Sequence, residues 1–246
     1  MTLIYRLAAL AFALLVTWTV TPAFAQDLSI SLGESQSISA RAIQILILVT
    51  VLSLAPGLAI MITCFPFMVT VLAILRQGIG LQQSPPNMLL ISLALFLTYF
   101  VMEPVFQDAW SNGIEPLLQE EVTTEEGVRL ALDPFQVFMA SRVDEDTFAT
   151  MASLRPEFDS TPDASSAPLS VLIPSFMLSE ISRAFQVGFL LFLPFLIIDL
   201  VVAAVLMSMG MMMVPPAIVS LPFKLAFFVI ADGWTLVADG LVRGYF

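Results

Sequence analysis

The fold is decided by residues 184–216, which read AFQVGFLLFLPFLIIDLVVAAVLMSMGMMMVPP. A single charge, Asp199, interrupts this run of apolar side chains, and the run is long enough for a helix that crosses a membrane. The Met-rich stretch and the two prolines that end it predict a turn, and a second apolar segment follows. We predict helices over 184–209 and 214–238, joined as a helical hairpin.

The composition of the whole chain agrees with this stretch. Hydrophobic residues make up 59% of the 246 residues and charged residues 12%, against about 25% charged residues in soluble domains. The mean hydropathy is +0.95, so the chain has too few polar groups to cover a soluble surface. We predict an all-α, membrane-associated protein built of helical hairpins. Disordered proteins, disulfide scaffolds and ordinary cytosolic enzymes are excluded as classes.

The negative charge is concentrated in one segment. The net charge is −11, and residues 103–163 hold 14 acidic and 3 basic side chains, while the remainder holds six of each. Nucleic-acid binding requires clustered Lys and Arg, so this balance argues against it. The simplest interpretation of the segment is a solvated acidic face.

The first 25 residues have the three parts of a secretory signal. Arg6 provides the positive start, residues 7–16 are an unbroken apolar run, and Ala23-Phe24-Ala25 is a cleavage site. The apolar run is short for a membrane anchor. We therefore expect residues 1–25 to be removed, leaving the N-terminus on the periplasmic side of a bacterial inner membrane.

The next part of the chain predicts a first hairpin over residues 26–106. A short polar lead is followed by residues 42–75, which carry no charge over 34 residues. That length is too great for one upright span and too small for two. Pro56 and Pro66 interrupt the run, so we expect a kinked or broken helix.

A turn and a second apolar helix complete this hairpin. The turn, 76–87, is rich in Gly, Gln and Pro, and the helix is predicted over 88–106, ending near Glu103-Pro104. Arg76 is the charge next to the turn. The positive-inside rule therefore places the turn in the cytoplasm and the acidic segment in the periplasm.

A polar insert, 107–170, separates the two hairpins. Within it, residues 133–154 place apolar side chains at helical spacing, which predicts one or two amphipathic helices. Residues 155–170 have the composition of a linker. The second hairpin region, 171–246, is expected to begin with a short separate helix over 171–183.

Few charges lie inside the second hairpin region. Asp199 and Lys224 are 12 or 13 residues on either side of the turn centre, which puts both at roughly 18 Å from the turn in an antiparallel hairpin. Buried charges in an apolar setting are costly and usually paired. The two residues form a mutual salt bridge that fixes the hairpin, or pair with charges across subunits, or belong to a proton or ion relay. Glu180 and Arg183, three residues apart, are candidate interface anchors, and so is Arg76 beside the first turn.

Five of the seven residues at 207–213 are methionine. Methionine is unbranched and polarisable, so it fills irregular gaps and repacks readily. Ordinary core filling is one explanation. A deformable seal around a narrow passage is the other, and it is favoured by the position of the cluster at a turn.

No motif for catalysis or ligand binding is found. The chain has no histidine and one cysteine, and it lacks a P-loop, a zinc-protease motif and a nucleophile elbow. We predict no catalytic residue, no metal site and no cofactor.

Two long stretches resemble a known family. In residues 75–105 the sequence LRQGIGLQQSPPN is followed by LALFLTYFVMEPV, and residues 172–235 contain LIPSF, AFQVGFLLFLPFLIIDLVVA, MGMMMVPP, LPFKL and DGW. Both are similar to the FliP family, a core component of the bacterial flagellar type III export gate. The sequence at Cys64-Phe65-Pro66-Phe67 departs from the family pattern, which often has a Ser-Phe-Thr-Arg type stretch there. Because Phe67 stands in place of the arginine, any role of that arginine is not carried over to this chain.

The resemblance implies a role in protein export. Family members assemble as a pentamer-like homo-oligomer with FliQ-like and FliR-like subunits, contact membrane lipid, and pass unfolded flagellar subunits through a channel. It also implies that Met211, Met212 and Met213, together with Met209, form a gasket around the pore. Asp199 and Lys224 both match charged positions of the family pattern, which implies a structural or a gating pair.

Other functions stay open at this point. The homologous gate of a virulence secretion system is one, and a small-solute or ion transporter that uses the buried charges is another. A transporter usually has more spans and inverted repeats. An intramembrane enzyme is disfavoured by the lack of any nucleophile–base pair.

Overall fold

The computed structural model describes residues 38–81, 85–155 and 163–246. The predicted signal sequence at 1–25 lies outside these residues. Within the described residues the backbone is helical and contains no strand, as the sequence predicted. The helices are α1 (Ile38–Met61), α2 (Phe65–Ile79), α3 (Asn87–Ala109), α4 (Glu115–Leu118), α5 (Thr124–Arg142), α6 (Glu145–Ser153), α7 (Leu169–Ser208), α8 (Pro216–Ile230) and α9 (Gly233–Arg243).

The chain divides into two units between Thr50 and Val51, and the second of them, Val51–Phe246, is compact. The core and the sites described below lie within the second unit. Among the described helices, three are long and apolar enough to cross a membrane, over Arg41–Met61, Asn87–Leu118 and Leu169–Ser208. The bent pair α8–α9 is a fourth candidate if it counts as one broken span.

The uncharged run 42–75 is broken between α1 and α2, at residues 62–64. Pro66 lies in the first turn of α2, where its missing N–H would have no helical partner in any case. Pro56 lies inside α1 without ending it. Gly80 closes α2 with a φ of +87°, and its N–H donates to the carbonyl of Gln77 at 3.1 Å. This left-handed conformation suits glycine.

The helix predicted to end near Glu103-Pro104 continues further. Pro104 lies inside α3, which runs to Ala109 and passes through a π-helical turn, Trp110–Ile114, into α4. The prediction of its end was therefore wrong. A proline removes its own N–H from the ladder and crowds the carbonyl one turn before it, but the packing of α3 against α2 and α5 holds the helix together.

The separate helices expected over 171–183 and 184–209 are one helix, α7, of 40 residues. Pro174 and Pro194 both lie inside it. The first part of α7 packs against α5 and α6 and the later part against α2. The boundary expected at 183 was wrong, because α7 passes from the first set of contacts to the second without a break and Ala184 is already buried in the core.

The helix expected over 214–238 is two helices, bent by 62° between α8 and α9. The bend is at Asp232, whose φ is +48°. Gly233 follows, and a Cβ there would lie 2.2 Å from Cε2 of Phe228. The packing of the Phe228 ring against the backbone therefore sets a bend that the apolar pattern does not predict.

The stretch 133–154 of the insert, where one or two amphipathic helices were predicted, is covered by two helices, α5 and α6. Helix α5 begins earlier, at Thr124, because the Thr123 side chain accepts a hydrogen bond from the N–H of Glu126. Asp144 caps α6 in the same way. Residues 156–162 of the predicted linker, 155–170, lie outside the described residues, and the part that follows them contains a short 3₁₀ turn, Ala164–Ser166.

Helix α2 is the centre of the core. It packs chiefly against α7 and also against α3, so the main contact joins the first hairpin region to the second. The buried side chains of α2 are apolar and cover most of its length: Phe67, Met68, Val71, Leu72, Leu75 and Ile79.

Candidate functional site: a methionine turn and two buried charge clusters

The turn between α7 and α8 is built by glycine and proline. Gly210 has a φ of +77°, and its N–H donates to the carbonyl of Met207 at 3.0 Å. The N–H of Met211 donates to the carbonyl of Leu206 at 2.9 Å, which satisfies a carbonyl at the end of α7. Pro215 then precedes the first turn of α8. These constraints define the path of the backbone through the turn.

The methionine side chains of this turn point away from the core. The exposed fractions are 68% for Met209, 42% for Met211, 84% for Met212 and 96% for Met213. Core filling within this chain is therefore contradicted as an explanation of the cluster. Apolar side chains presented together at a turn are typical of a surface that another protein covers.

Asp199 of α7 and Lys224 of α8 lie in contact across the hairpin. The Lys224 Nζ is 2.6 Å from Asp199 Oδ2 and also donates to the carbonyl of Gly78 at 3.1 Å. The Ser220 hydroxyl donates to Asp199 Oδ1 at 2.5 Å. The Lys224 side chain is 6% exposed and that of Asp199 is 32% exposed.

Sequence reasoning missed two members of this cluster. Ser220 lies one turn before Lys224 on α8, a spacing that could have indicated it. Gly78 contributes only a carbonyl and is 146 residues away from Lys224 in the chain, so no local pattern reveals it. Through Gly78 the second hairpin is joined to the last turn of α2.

Glu180 forms a second buried cluster, with more partners than predicted. Its side chain is 0% exposed, and Arg142 Nε donates to Glu180 Oε1 at 3.3 Å. The predicted partner, Arg183, lies 3.6 Å away and is 38% exposed. The Tyr245 hydroxyl donates to Glu180 Oε2. The stronger contacts thus come from residues 38 and 65 positions away, which sequence spacing does not indicate.

Arg142 and Tyr245 also contact each other. The Arg142 guanidinium carbon lies 3.9 Å from the centre of the Tyr245 ring, which is cation–π geometry. Arg142 donates a further hydrogen bond to the carbonyl of Gly244 at 2.8 Å. The same ring meets Phe67 of α2 edge-on, with centroids 5.5 Å apart. Burial, and next the charge of Glu180, raise the pKa of Tyr245 well above its ordinary value near 10.

Arg76 contacts neither of these clusters. It donates to the Asn87 side chain and to the carbonyl of Pro85 at 3.5 Å, so it closes the first hairpin turn. In the described part of the chain, no three Asp, Glu or Cys side chains converge as a metal site requires.

Comparison with known proteins identifies relatives of this chain. Residues 48–241 match the model of the FliP family. A flagellar biosynthetic protein FliP of Caulobacter vibrioides is 50% identical over 243 residues, which are 98% of this chain and 91% of the relative. The protein of the same name from Agrobacterium fabrum is 47% identical over 85% of this chain and 86% of the relative. That of Bacillus subtilis is 40% identical over 87% of this chain and 96% of the relative.

Proposed function

The chain belongs to the FliP family and is a component of the flagellar export apparatus, and we propose that it is the pore-forming subunit of the export gate. In this role it passes unfolded flagellar subunits across the inner membrane. The role is not enzymatic. The observation that carries the proposal is the turn between α7 and α8, which presents Met209, Met211, Met212 and Met213 outside the core of their own chain.

The sealing mechanism follows from the chemistry of methionine. When several copies surround one axis, their turns meet and the thioether side chains fill the gap between them. Each side chain has three rotatable bonds, so the seal deforms around a passing polypeptide and closes again behind it. Gly210 and Pro215 hold the backbone of each turn, so the side chains move while the turn keeps its position.

The partners we propose are other copies of this chain, in a pentamer-like ring, with FliQ-like and FliR-like subunits. The support is the apolar outer face of α7, which its own chain leaves exposed. Its members are Phe185, Phe189, Leu190, Ile197, Leu200 and Val201. Protein neighbours or lipid must cover such a face.

We place the protein in the bacterial inner membrane at the flagellar basal body. The relatives compared above all carry a flagellar name, which favours the flagellar gate over the homologous virulence gate. Arg76 beside the first hairpin turn supports a cytoplasmic turn. The N-terminus and the acidic insert are then periplasmic.

For Asp199 and Lys224 we propose a structural role instead of a relay. A relay needs a chain of titratable groups, whereas the other partners of this pair are the Ser220 hydroxyl and a backbone carbonyl. The pair holds α7 and α8 together and joins them to α2, so it fixes the hairpin that carries the methionines. Glu180 and Arg183 are proposed to anchor the second hairpin region through the cluster that includes Arg142.

The test is the triple replacement of Met211, Met212 and Met213 by Ala. Shortening three exposed side chains leaves the folded chain intact and opens a gap in the seal. We expect normal assembly with the partner subunits and a higher ion conductance of the closed complex in planar bilayers. Met88→Ala, at a methionine of α3 that is 74% exposed, is the control. An unchanged conductance in a correctly assembled triple variant would contradict the gasket.

A further inference from the structure

The acidic insert contains a groove that the proposed gate does not use. It is open, has a volume of about 730 Å³, and lies between the end of α3 with its π-helical turn on one side and α5 on the other. We call it the acidic groove. It is lined by Val105, Asp108, Ser111, Asn112, Pro116, Leu130, Asp133, Pro134, Val137 and Phe138.

The floor of the acidic groove is apolar. Six of its ten lining residues are Val, Leu, Pro or Phe, and Val137 on its edge is 67% exposed. Exposed apolar side chains inside an otherwise polar, strongly charged segment are uncommon unless something covers them. A hydrated metal ion or a small polar solute would gain nothing from such a floor.

Two carboxylates, Asp108 and Asp133, line the same groove. Neither carboxylate has an ion pair or a hydrogen bond within the described part of the chain. Residues 107–142 hold seven acidic side chains and two arginines, and one of these, Arg142, is bound to Glu180. Because the apolar floor has a low dielectric constant and the nearby acidic side chains outnumber the basic ones, the negative electrostatic potential is concentrated in the groove.

The groove is already formed in the unbound chain. Gly113 of the π-helical turn lies against α5 so closely that a Cβ there would be 2.4 Å from the Ala131 nitrogen. This backbone contact fixes the distance between the two walls. A preformed groove binds a partner without the entropic cost of ordering its own walls, and π-helical turns are frequent at functional sites.

We propose that the acidic groove is a docking site for a cationic amphipathic helix of another protein. The apolar face of such a helix covers the floor, and its Lys or Arg side chains pair with Asp108 and Asp133. This is the helix-in-groove mode of recognition, with charge complementarity supplying specificity. An anionic lipid surface is repelled by the same carboxylates. The inference does not depend on the methionine gasket, which lies in a different part of the chain.

The binding test uses the full chain in nanodiscs of zwitterionic lipid and a labelled helical peptide of about 18 residues, long enough to form a helix. The peptide has leucines on one face and lysines on the other, and its counterpart has glutamates in place of the lysines. We expect the lysine peptide to bind more tightly than it binds empty nanodiscs, and the glutamate peptide not to bind. Added salt weakens the charge pairing.

The matched variants separate the groove from the overall charge. Asp108→Asn with Asp133→Asn removes two charges from the groove, and Glu125→Gln with Glu126→Gln removes two from the first turn of the same α5 outside it. We expect the first pair to raise the Kd about tenfold and the second to raise it less than about threefold. Equal weakening by both pairs, or no binding to the unaltered chain, would overturn the proposal.

A crosslinking experiment locates the bound peptide. Cys64 is fully buried, so Val137→Cys introduces a reachable thiol without removal of the native one. A lysine peptide that carries one cysteine should form a disulfide with Val137→Cys. The control is Val128→Cys, on the same helix and 51% exposed but outside the groove. Crosslinking that is equal at both positions would show that the peptide does not occupy the groove.

Discussion

At the scale of single residues, Glu180 is a charged side chain that the described part of the chain buries completely. It is fully buried, and a buried carboxylate is stable only when its oxygens are paired. Arg142 supplies the positive charge and Tyr245 a hydroxyl donor. These partners come from the insert and from the C-terminal tail, so one carboxylate joins three distant parts of the chain.

Replacement of Tyr245 by Phe tests this cluster. The variant keeps the ring contacts but leaves Glu180 without one donor, so we expect the free energy of unfolding to fall by about 1–3 kcal/mol at pH 7. Chemical denaturation in detergent measures it. Tyr99→Phe, at an exposed tyrosine, is the control and should leave stability at neutral pH unchanged.

The same variant should change the response to alkali. Because the pKa of Tyr245 is raised in the folded chain, its neutral form stabilises the fold fully below pH 10, and this contribution is lost as the pH rises above 10. Tyr245→Phe has no phenol to titrate at this position, so its loss of stability above pH 10 should be smaller. An identical pH dependence in both proteins would contradict the burial of a neutral phenol at this position.

The Asp199–Lys224 pair supports a second prediction at this scale. Removal of either partner leaves a charge in a largely apolar site, so Asp199→Ala and Lys224→Ala should each cost about 3 kcal/mol. Thermal unfolding and assembly with the partner subunits are the measurements. The exchange of the two residues should recover part of the loss, because the pair then forms in the opposite sense. A relay would be favoured if the single variants assemble normally but do not export, and if the exchanged variant recovers nothing.

At the scale of elements, prolines interrupt fewer helices here than local rules predict. Pro104, Pro174 and Pro194 all lie inside helices. Each removes one hydrogen bond, while the helix around it is held by packing against two or more neighbours. The apolar runs 42–75 and 214–238 break instead at residues 62–64 and at Asp232, where the backbone leaves helical geometry to bring α2 and α9 into place.

The replacement of Gly113 by Ala tests how closely the π-helical turn packs against α5. A Cβ there would meet the backbone of Ala131, which cannot move without displacing α5. We expect Gly113→Ala to lower the free energy of unfolding by about 1–3 kcal/mol. Gly240→Ala is the matched control, since nothing lies within 4 Å of its Cβ, and it should stabilise α9 by about 0.5–1 kcal/mol. Equal effects of the two replacements would contradict the close crossing at Gly113.

At the scale of the molecule, the unit Val51–Phe246 buries α2 and leaves the outer face of α7 and the methionine turn uncovered. The side chains that a gate would use are thus the ones that this chain does not pack. Assembly with other subunits would cover them, which is the physical link between the fold and the proposed pore.

Native mass spectrometry of the detergent-solubilised protein tests assembly directly. We expect a discrete homo-oligomer that takes up FliQ-like and FliR-like chains, because the exposed apolar faces gain burial in the complex. The triple Met→Ala variant is the control and should give the same masses, since its side chains seal the pore without holding the subunits together. A monomer that binds neither partner would contradict the proposed gate.

Much of this protein is determined by local sequence. Apolar runs and their turns predicted the helical, membrane-associated class, and the residues 207–213 predicted an unusual turn, because helix formation and turn geometry depend on neighbours a few positions apart. The equal distances of Asp199 and Lys224 from that turn also indicated a contact. Family resemblance then placed the chain in the flagellar export apparatus, which no spacing of residues reveals.

Only the tertiary structure decided how these parts meet. The contact of α2 with α7, the carbonyl of Gly78 beside Lys224, and the partners of Glu180 join residues up to 146 positions apart. The acidic groove depends on a glycine that meets α5 across the insert. Such contacts arise from the packing of whole helices, in which many side chains are buried at once, so the residues of one segment alone do not specify them.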